Sequence, residues 1–289
     1  MIGSFRFAGW VIVSLIASDA MSAVAQDPAN RERGEPSQAK AWAERAAKMA
    51  LAEARAWDIR LEKEDGPQAK LIEQPVLKWS NTYEASVYGS AFVWTQDGRP
   101  AAIACIYKFF TTDIKFDAEF HSLATAPLVA IKEKQTAWQP QDAGVEFKWL
   151  AAAATPAKTA GQRLVQMRDL AREFSADMTA VIDKTQHRLR LLTQPLYRYR
   201  SGSQAVLDGA IFAFARETDP DVLLLLEATA PSEGKSSTWQ FAIARMHVGA
   251  LLVKHGDKEV WSVTEMSWPY GRKNERYSLF QKIPEPKVD

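Results

Sequence analysis

Two similar stretches, Gln74-Pro-Val-Leu-Lys-Trp-Ser80 and Gln194-Pro-Leu-Tyr-Arg-Tyr-Arg200, decide how this chain is organised. They lie 120 positions apart, and the same offset relates Gly89 to Gly209, Phe92 to Phe212 and Pro100 to Pro220. Slightly larger offsets relate Phe120 to Phe241 and Trp138 to Trp261. We interpret these matches as an internal duplication. The alternative is a chance likeness between two segments that are both rich in strands.

Each of the two stretches follows a segment with helical periodicity. Apolar side chains recur on one helical face in residues 41–61 and again in residues 162–182. The residues after each helix are rich in β-branched and aromatic types, which favours antiparallel strands. Asp97-Gly98 is a typical two-residue hairpin turn. The sequence thus predicts a helix and then a meander of strands, twice.

A single helix buries its apolar stripe best against the concave face of a curved sheet. The sequence therefore predicts an α+β fold of two tandem repeats. Each repeat would be a helix packed on a curved antiparallel sheet of about five strands, in a cystatin-like layer order. Residues 41–150 would form the first helix-plus-sheet repeat and residues 151–289 the second.

The N-terminal residues predict export. Arg6 precedes an apolar stretch at residues 8–17, and Ala23-Val-Ala25 places small residues where a signal peptidase cleaves. The apolar stretch is too short to span a hydrocarbon layer of about 30 Å, although an anchor or a buried helix is the alternative. We expect a signal peptide at 1–25, a flexible leader at 26–40, and a periplasmic or secreted protein with no stable membrane anchor after cleavage.

Composition excludes several classes of protein. With 47% hydrophobic and 25% charged residues, the chain can form a core and does not resemble a disordered protein. A net charge of +1 argues against a nucleic-acid partner, because proteins that bind nucleic acids usually carry a surplus of basic residues. Cys105 is the only cysteine, so no intramolecular disulfide is available. Its apolar neighbours favour a small buried residue over a nucleophile.

The strongest chemical constellation is Asp117-Ala-Glu-Phe-His-Ser122. Side chains alternate along a strand, so Asp117, Glu119 and His121 would share one face. Two carboxylates and an imidazole there could act as a general acid/base set or bind a divalent metal. At an offset of 121 the second half has Gln240 and Ala242 in place of Glu119 and His121. These three residues are the catalytic candidates, and a solvated strand face is the favoured alternative.

Other polar residues are weaker candidates. Arg245 and His247 would share a strand face, as an anion or ligand site or as an exposed polar rim. Glu227 continues the face of Leu223 and Leu225, where it would be a buried carboxylate with a partner, unless the strand frays after Leu226, which is favoured. Most of the ten tryptophans should be core residues, although a few exposed ones could stack on sugars. No cofactor-binding motif is present, and the sequence leaves the question of a metal open.

Several segments resemble a family of uncharacterised exported proteins of planctomycete bacteria. They include Leu77-Lys-Trp-Ser-Asn81, Phe92-Val-Trp-Thr95, Asp97-Gly-Arg-Pro100, Glu119-Phe-His-Ser-Leu123 and Gln166-Met-Arg-Asp-Leu-Ala-Arg172. The resemblance covers most of the mature chain and implies export. It implies no activity and no catalytic residues.

The function predicted from the sequence is an exported, non-catalytic binding or scaffolding protein. Its partner would be a small molecule, a glycan or another protein, and any cofactor is unknown. One alternative is a hydrolase or isomerase-like enzyme that uses Asp117, Glu119 and His121. Another is a structural envelope protein with a flat apolar contact surface.

Overall fold

The computed structural model describes residues 36–81, 86–111, 113–151, 153–203, 205–231 and 236–288. The first part of the chain contains α1 (Pro36–Arg55), β1 (Trp57–Leu61), β2 (Lys70–Asn81), β3 (Val87–Gln96), β4 (Arg99–Phe109), β5 (Phe116–Ser122), β6 (Leu128–Lys132), β7 (Gln135–Trp138) and β8 (Lys148–Trp149). The second part contains α2 (Ala160–Arg172), β9 (Phe174–Thr179), β10 (Gln186–Ser201), β11 (Val206–Ala215), β12 (Val222–Thr229), β13 (Trp239–Arg245), β14 (Ala250–His255), β15 (Lys258–Val263) and β16 (Tyr277–Phe280). The predicted signal peptide lies outside the described residues, and α1 begins inside the predicted leader.

The predicted α+β fold is wrong, because strands form 50% of the described residues and helices only 13%. Both predicted helices run too far: α1 ends at Arg55 and α2 at Arg172, and each is followed by a strand. Residues four apart, such as Phe174 and Met178, share a face in a helix and in a strand alike. The apolar spacing therefore continues unbroken from each helix into the strand behind it.

The strands form sheets that do not match two separate helix-on-sheet repeats. In the second part, β9 pairs with both β10 and β14 and makes one eight-stranded sheet, curved into a half-barrel, in the order β15-β14-β9-β10-β11-β12-β13-β8. In the first part, the place of the β9–β10 ladder is taken by a single β-bridge between Arg60 and Gln68. The strands there form a three-stranded sheet, β1-β6-β7, and a five-stranded sheet, β16-β5-β4-β3-β2.

The two parts also exchange edge strands. β8 leaves the first part and pairs with β13, and β16 leaves the second part and pairs with β5, where Tyr277 lies opposite His121. The division at residues 150 and 151 stays a prediction. The described strands pair across it at both ends, so each large sheet is completed by the other part of the chain.

The repeated Gln-Pro pairs occupy matching bulges. The β2–β3 ladder shifts between Ile72 and Leu77, on either side of Gln74-Pro75. The β10–β11 ladder shifts between Leu192 and Tyr197, around Gln194-Pro195. Proline has no N–H to donate to a ladder, so a bulge is one of the few positions in a strand that accept it.

Gly89 and Gly209 are required by the aromatic rings that cross them. Gly89 lies opposite Trp79, and a Cβ at Gly89 would fall 2.3 Å from the indole ring. Gly209 lies opposite Tyr199, and a Cβ there would fall 2.5 Å from the phenol ring. Any larger residue would have to displace a buried ring.

The large sheets pack face to face between the two helices. The outer face of β4 places Ala104 and Ile106 in the core beneath α1. Its inner face places Ile103 and Cys105 in the core between the sheets, together with Leu223 from β12. In the part of the chain that the structure describes, neither helix has the length and apolar content needed to cross a lipid bilayer. The polar face of β5 points into the interface between the sheets.

Candidate functional site

Asp117, Glu119 and His121 are buried between the sheets. On β5, Phe116 and Phe120 lie in the core beneath α1, and the three polar side chains lie on the opposite face. Their exposed fractions are 2%, 7% and 4%. The favoured alternative of a solvated strand face is therefore not what the structure has.

The three residues do not form one hydrogen-bonded unit. Glu119 Oε2 accepts from the Tyr277 hydroxyl at 2.6 Å, and Asp117 Oδ1 accepts from the Lys282 amide at 2.7 Å. His121 Nδ1 lies 2.6 Å from the Ser122 carbonyl oxygen. Within the described residues no hydrogen bond joins the imidazole to either carboxyl group. Nor do these residues contain a group of three His, Cys, Asp or Glu side chains placed to hold a metal ion.

Burial moves these groups toward their neutral forms. It raises the pKa of Glu119 well above its ordinary value, and the Tyr277 hydrogen bond opposes that shift only in part. It lowers the pKa of His121 to about 4. An imidazole with that pKa is a weak general base at neutral pH, because catalytic bases work best with a pKa near the operating pH.

Strand register corrects the correspondence inferred from the sequence. Cys105 of β4 lies opposite Glu119, and the equivalent Leu225 of β12 lies opposite Ala242. Glu119 therefore corresponds to Ala242 and not to Gln240, because the offset grows between these strands. By the same register, His121 corresponds to Ala244. The three polar residues still belong to the first part of the chain alone.

The strongest functional candidate is a cavity of about 470 Å³ at one end of the interface, which we call the Arg245 cavity. Residues from both parts of the chain line it. Its polar wall includes His121, Arg245 and Tyr277, and its apolar wall includes Phe241, Ile243 and Trp261. Its volume is within the usual range for small-molecule sites, roughly 300–1,000 Å³.

Backbone carbonyls hold the Arg245 side chain in place. Its Nε donates to the His247 carbonyl oxygen at 2.9 Å and Nη2 to that of Gly249 at 2.8 Å. Nη1 donates to the Thr264 carbonyl oxygen at 3.3 Å. The guanidinium carbon lies 5.4 Å from the centre of the Tyr277 ring. These contacts form because β13 ends at Arg245 and the connection to β14 turns back over the guanidinium. Arg245 and His247 therefore do not share the strand face that the sequence predicted.

His247 faces a different cavity. Together with Asp117 and Glu119 it lines a cavity of about 430 Å³, which we call the Glu119 cavity. Its Nδ1 accepts from the Gly249 amide at 2.9 Å, and burial lowers its pKa to about 4. Tyr277 lines both cavities. The structure thus brings His121 together with Arg245, and His247 together with the two carboxyl groups.

Glu227 is a fully buried carboxylate with several partners. β12 continues to Thr229, so the expected fraying after Leu226 is wrong. Arg99 donates to Glu227 from Nε at 2.8 Å and from Nη2 at 3.1 Å. The Tyr199 hydroxyl and Gln240 Nε2 also donate to it, each at 2.8 Å. This network closes the interface near the β3–β4 hairpin.

Sequence reasoning missed Tyr277 and Arg276, which both line the Arg245 cavity. They lie in residues 266–289, outside every site predicted from the sequence. Tyr277 belongs to β16, and its contact with His121 depends on strand pairing across 156 residues. No local signal in the sequence indicates that pairing.

Comparison with protein-family models, with curated proteins and with solved structures finds no match for this chain.

Proposed function

We propose that this protein is an exported, non-catalytic binding protein whose small-molecule ligand occupies the Arg245 cavity. The observation that carries the proposal is the cavity itself. It combines a fixed polar group, Arg245, with an apolar wall, and it lies where the two parts of the chain meet. Its volume suits a small molecule better than a folded protein or a long glycan.

The geometry around His121 supports binding over catalysis. A hydrolase or isomerase-like mechanism would need His121 as a base, oriented by a carboxylate within hydrogen-bond reach. Glu119 is instead bonded to Tyr277, and Asp117 to the Lys282 amide. The His121 imidazole is held by a backbone carbonyl and is neutral near pH 7.

A neutral fluorescent probe tests this proposal. N-phenylnaphthylamine emits strongly only when it leaves water for an apolar site, so we expect saturable fluorescence on titration into the mature protein. Thr264 is an exposed residue of the cavity wall, and Thr264→Trp would fill part of the cavity. We expect this variant to bind the probe at least about tenfold more weakly, a loss of about 1.4 kcal/mol.

Ser236→Trp is the matched control, because Ser236 is exposed and lies outside the cavity. It should bind the probe like the wild type. Absence of saturable binding, or equal binding by Thr264→Trp and the wild type, would refute a ligand site in the Arg245 cavity.

A further inference from the structure

Among the residues that the structure describes, Arg245 differs from the other buried arginines in its partners. Arg99 is paired with Glu227, and Arg163 with Asp208 at 2.9 Å. Arg245 is only 9% exposed, and among the described residues no carboxylate forms an ion pair with it. Glu119 attracts the guanidinium through space without forming an ion pair, and burial raises the pKa of that carboxyl group well above its ordinary value. A buried charge without an ion-pair partner is costly, and backbone carbonyls offer only partial charges in return.

The guanidinium retains donors for a ligand. A guanidinium has five N–H groups, and three of those on Arg245 donate to backbone carbonyls. The two others have no acceptor among the described residues. Since the side chain lines the cavity and is held in position, an anion in the cavity could accept from it without reorganising the protein.

His121 adds a neutral hydrogen-bonding group beside Arg245. Its Nδ1 is close enough to the Ser122 carbonyl oxygen to donate to it, which assigns the proton to Nδ1. Nε2 is then an acceptor with no partner in the described part of the chain. It could accept from a hydroxyl or amide group next to the anionic head of a ligand.

The cavity wall carries four basic residues and three acidic ones. One of the acidic residues, Glu265, is already bonded to Lys184, which lies outside the cavity. Arg276 is exposed and its side chain has no partner among the described residues. The surroundings of Arg245 therefore favour a negative ligand over a neutral or positive one.

We propose that the Arg245 cavity binds an organic anion, with a carboxylate, sulfonate or similar oxyanion head against Arg245 and an apolar body along Phe241, Ile243 and Trp261. This inference rests on the proposed function, because it names the ligand class of the same cavity. The apolar wall supplies most of the affinity through burial, and Arg245 supplies the preference for an anion.

Two probes with the same ring skeleton separate charge from burial. Anilinonaphthalene sulfonate carries a sulfonate that N-phenylnaphthylamine lacks. We expect the wild type to bind the sulfonate probe about tenfold more tightly or better, which corresponds to about 1.4 kcal/mol. The difference should shrink as salt is raised, because part of the attraction comes from exposed Arg276.

Arg245→Gln should remove that preference. We expect its affinity for the sulfonate probe to fall about tenfold, and its affinity for the neutral probe to change less than about threefold. Arg190→Gln, which removes an exposed arginine outside the cavity, is the control and should leave both affinities unchanged. Thr264→Trp should weaken both probes.

The possible results distinguish the two proposals. Failure of the neutral probe to bind overturns the proposed function and this inference with it. Equal affinities for the two probes in the wild type, a preference that Arg245→Gln retains, or an affinity for the sulfonate probe that Thr264→Trp does not reduce, overturn the anion assignment alone. If Arg245→Gln does not fold, the wild-type affinity ratio and its decline with salt decide the question.

Discussion

Arg99 and Arg245 are both buried where the two large sheets meet, and they have opposite environments. Arg99 forms a two-point ion pair with Glu227, which also accepts from Tyr199 and Gln240. Arg245 donates only to backbone carbonyls and lines an open cavity. The comparison teaches that one buried cation is compensated within the protein and holds its two parts together. The other is left for a ligand to compensate.

The largest effect should come from removing the partner of Arg99. Glu227→Ala leaves a buried guanidinium, a hydroxyl and an amide without their acceptor, so we expect a loss of about 3–5 kcal/mol in the free energy of unfolding. Urea denaturation at pH 7.5 measures it. Glu73→Ala, which breaks the exposed ion pair with Arg55, should change stability little. A similar small loss for Glu227→Ala would contradict the assignment of that network as a structural junction.

The next effect is a dependence of stability on pH, which comes from His121 beside Arg245. Unfolded His121 takes up a proton near pH 6.5, but the folded residue does so only near pH 4, because burial lowers its pKa. The unfolded state therefore binds more protons between these values. The contribution of His121 to stability is therefore fully present above pH 6.5. It decreases as the pH falls and is lost below pH 4.

His121→Asn can measure this contribution, since asparagine can still donate to the Ser122 carbonyl. At about 1.4 kcal/mol per pH unit, His121 accounts for roughly 3 kcal/mol of the loss between pH 7.5 and pH 4. The variant should lose less stability than the wild type over that interval. His247→Asn, in the Glu119 cavity, should behave in the same way because its pKa is also about 4. Parallel curves for the wild type and both variants would show that neither imidazole resists protonation.

Replacing Arg99 or Arg245 with methionine compares the two buried arginines directly. Arg99→Met leaves the Glu227 carboxylate without its cationic partner. It should lower the free energy of unfolding about as much as Glu227→Ala does, by roughly 3–5 kcal/mol. Arg245→Met leaves no carboxylate without a partner, and the freed backbone carbonyls lie beside a cavity that water can enter. We therefore expect the free energy of unfolding to fall by only about 1–2 kcal/mol. Equal losses in thermal or urea unfolding would mean that Arg245 has a hidden charged partner.

The smallest effect should follow Tyr277→Phe. The hydroxyl donates to Glu119 between the two cavities, and a single hydrogen bond of this kind contributes about 0.5–1.5 kcal/mol. Because that bond lowers the pKa of Glu119, its loss should raise the pKa further. A carbon-13 NMR titration of the Glu119 carboxyl group would detect the change, and an unchanged pKa would exclude the bond in solution.

Local features of the fold were predictable because they depend on neighbouring residues. The Asp97-Gly98 hairpin joins β3 and β4, and both residues have positive φ. The alternation of Phe116, Ala118 and Phe120 placed the polar residues of β5 on one face. Helix ends were not predictable, because apolar residues four apart share a face in both helices and strands. That ambiguity hid β1 and β9 and led to the wrong fold class.

The sequence predicted which residue types form the candidate site, but not which of these residues lie together. The sequence placed Arg245 with His247 and placed His121 with Glu119 and Asp117, because local alternation is the only guide within a strand. In the structure β13 ends at Arg245, and β16 inserts Tyr277 between two cavities. Each imidazole therefore lies with residues of the other part of the chain.

The sequence by itself determined where this protein has turns, bulges and alternating strands, because φ preferences, the missing N–H of proline and the two-residue strand period act over a few residues. The tertiary structure alone decided which charges are compensated. Arg99 and Glu227 are 128 residues apart, and Glu119 and Tyr277 are 158 apart. Only the packing of the two sheets and the exchange of β8 and β16 bring such groups within hydrogen-bonding distance, and the same packing leaves Arg245 at the wall of a cavity.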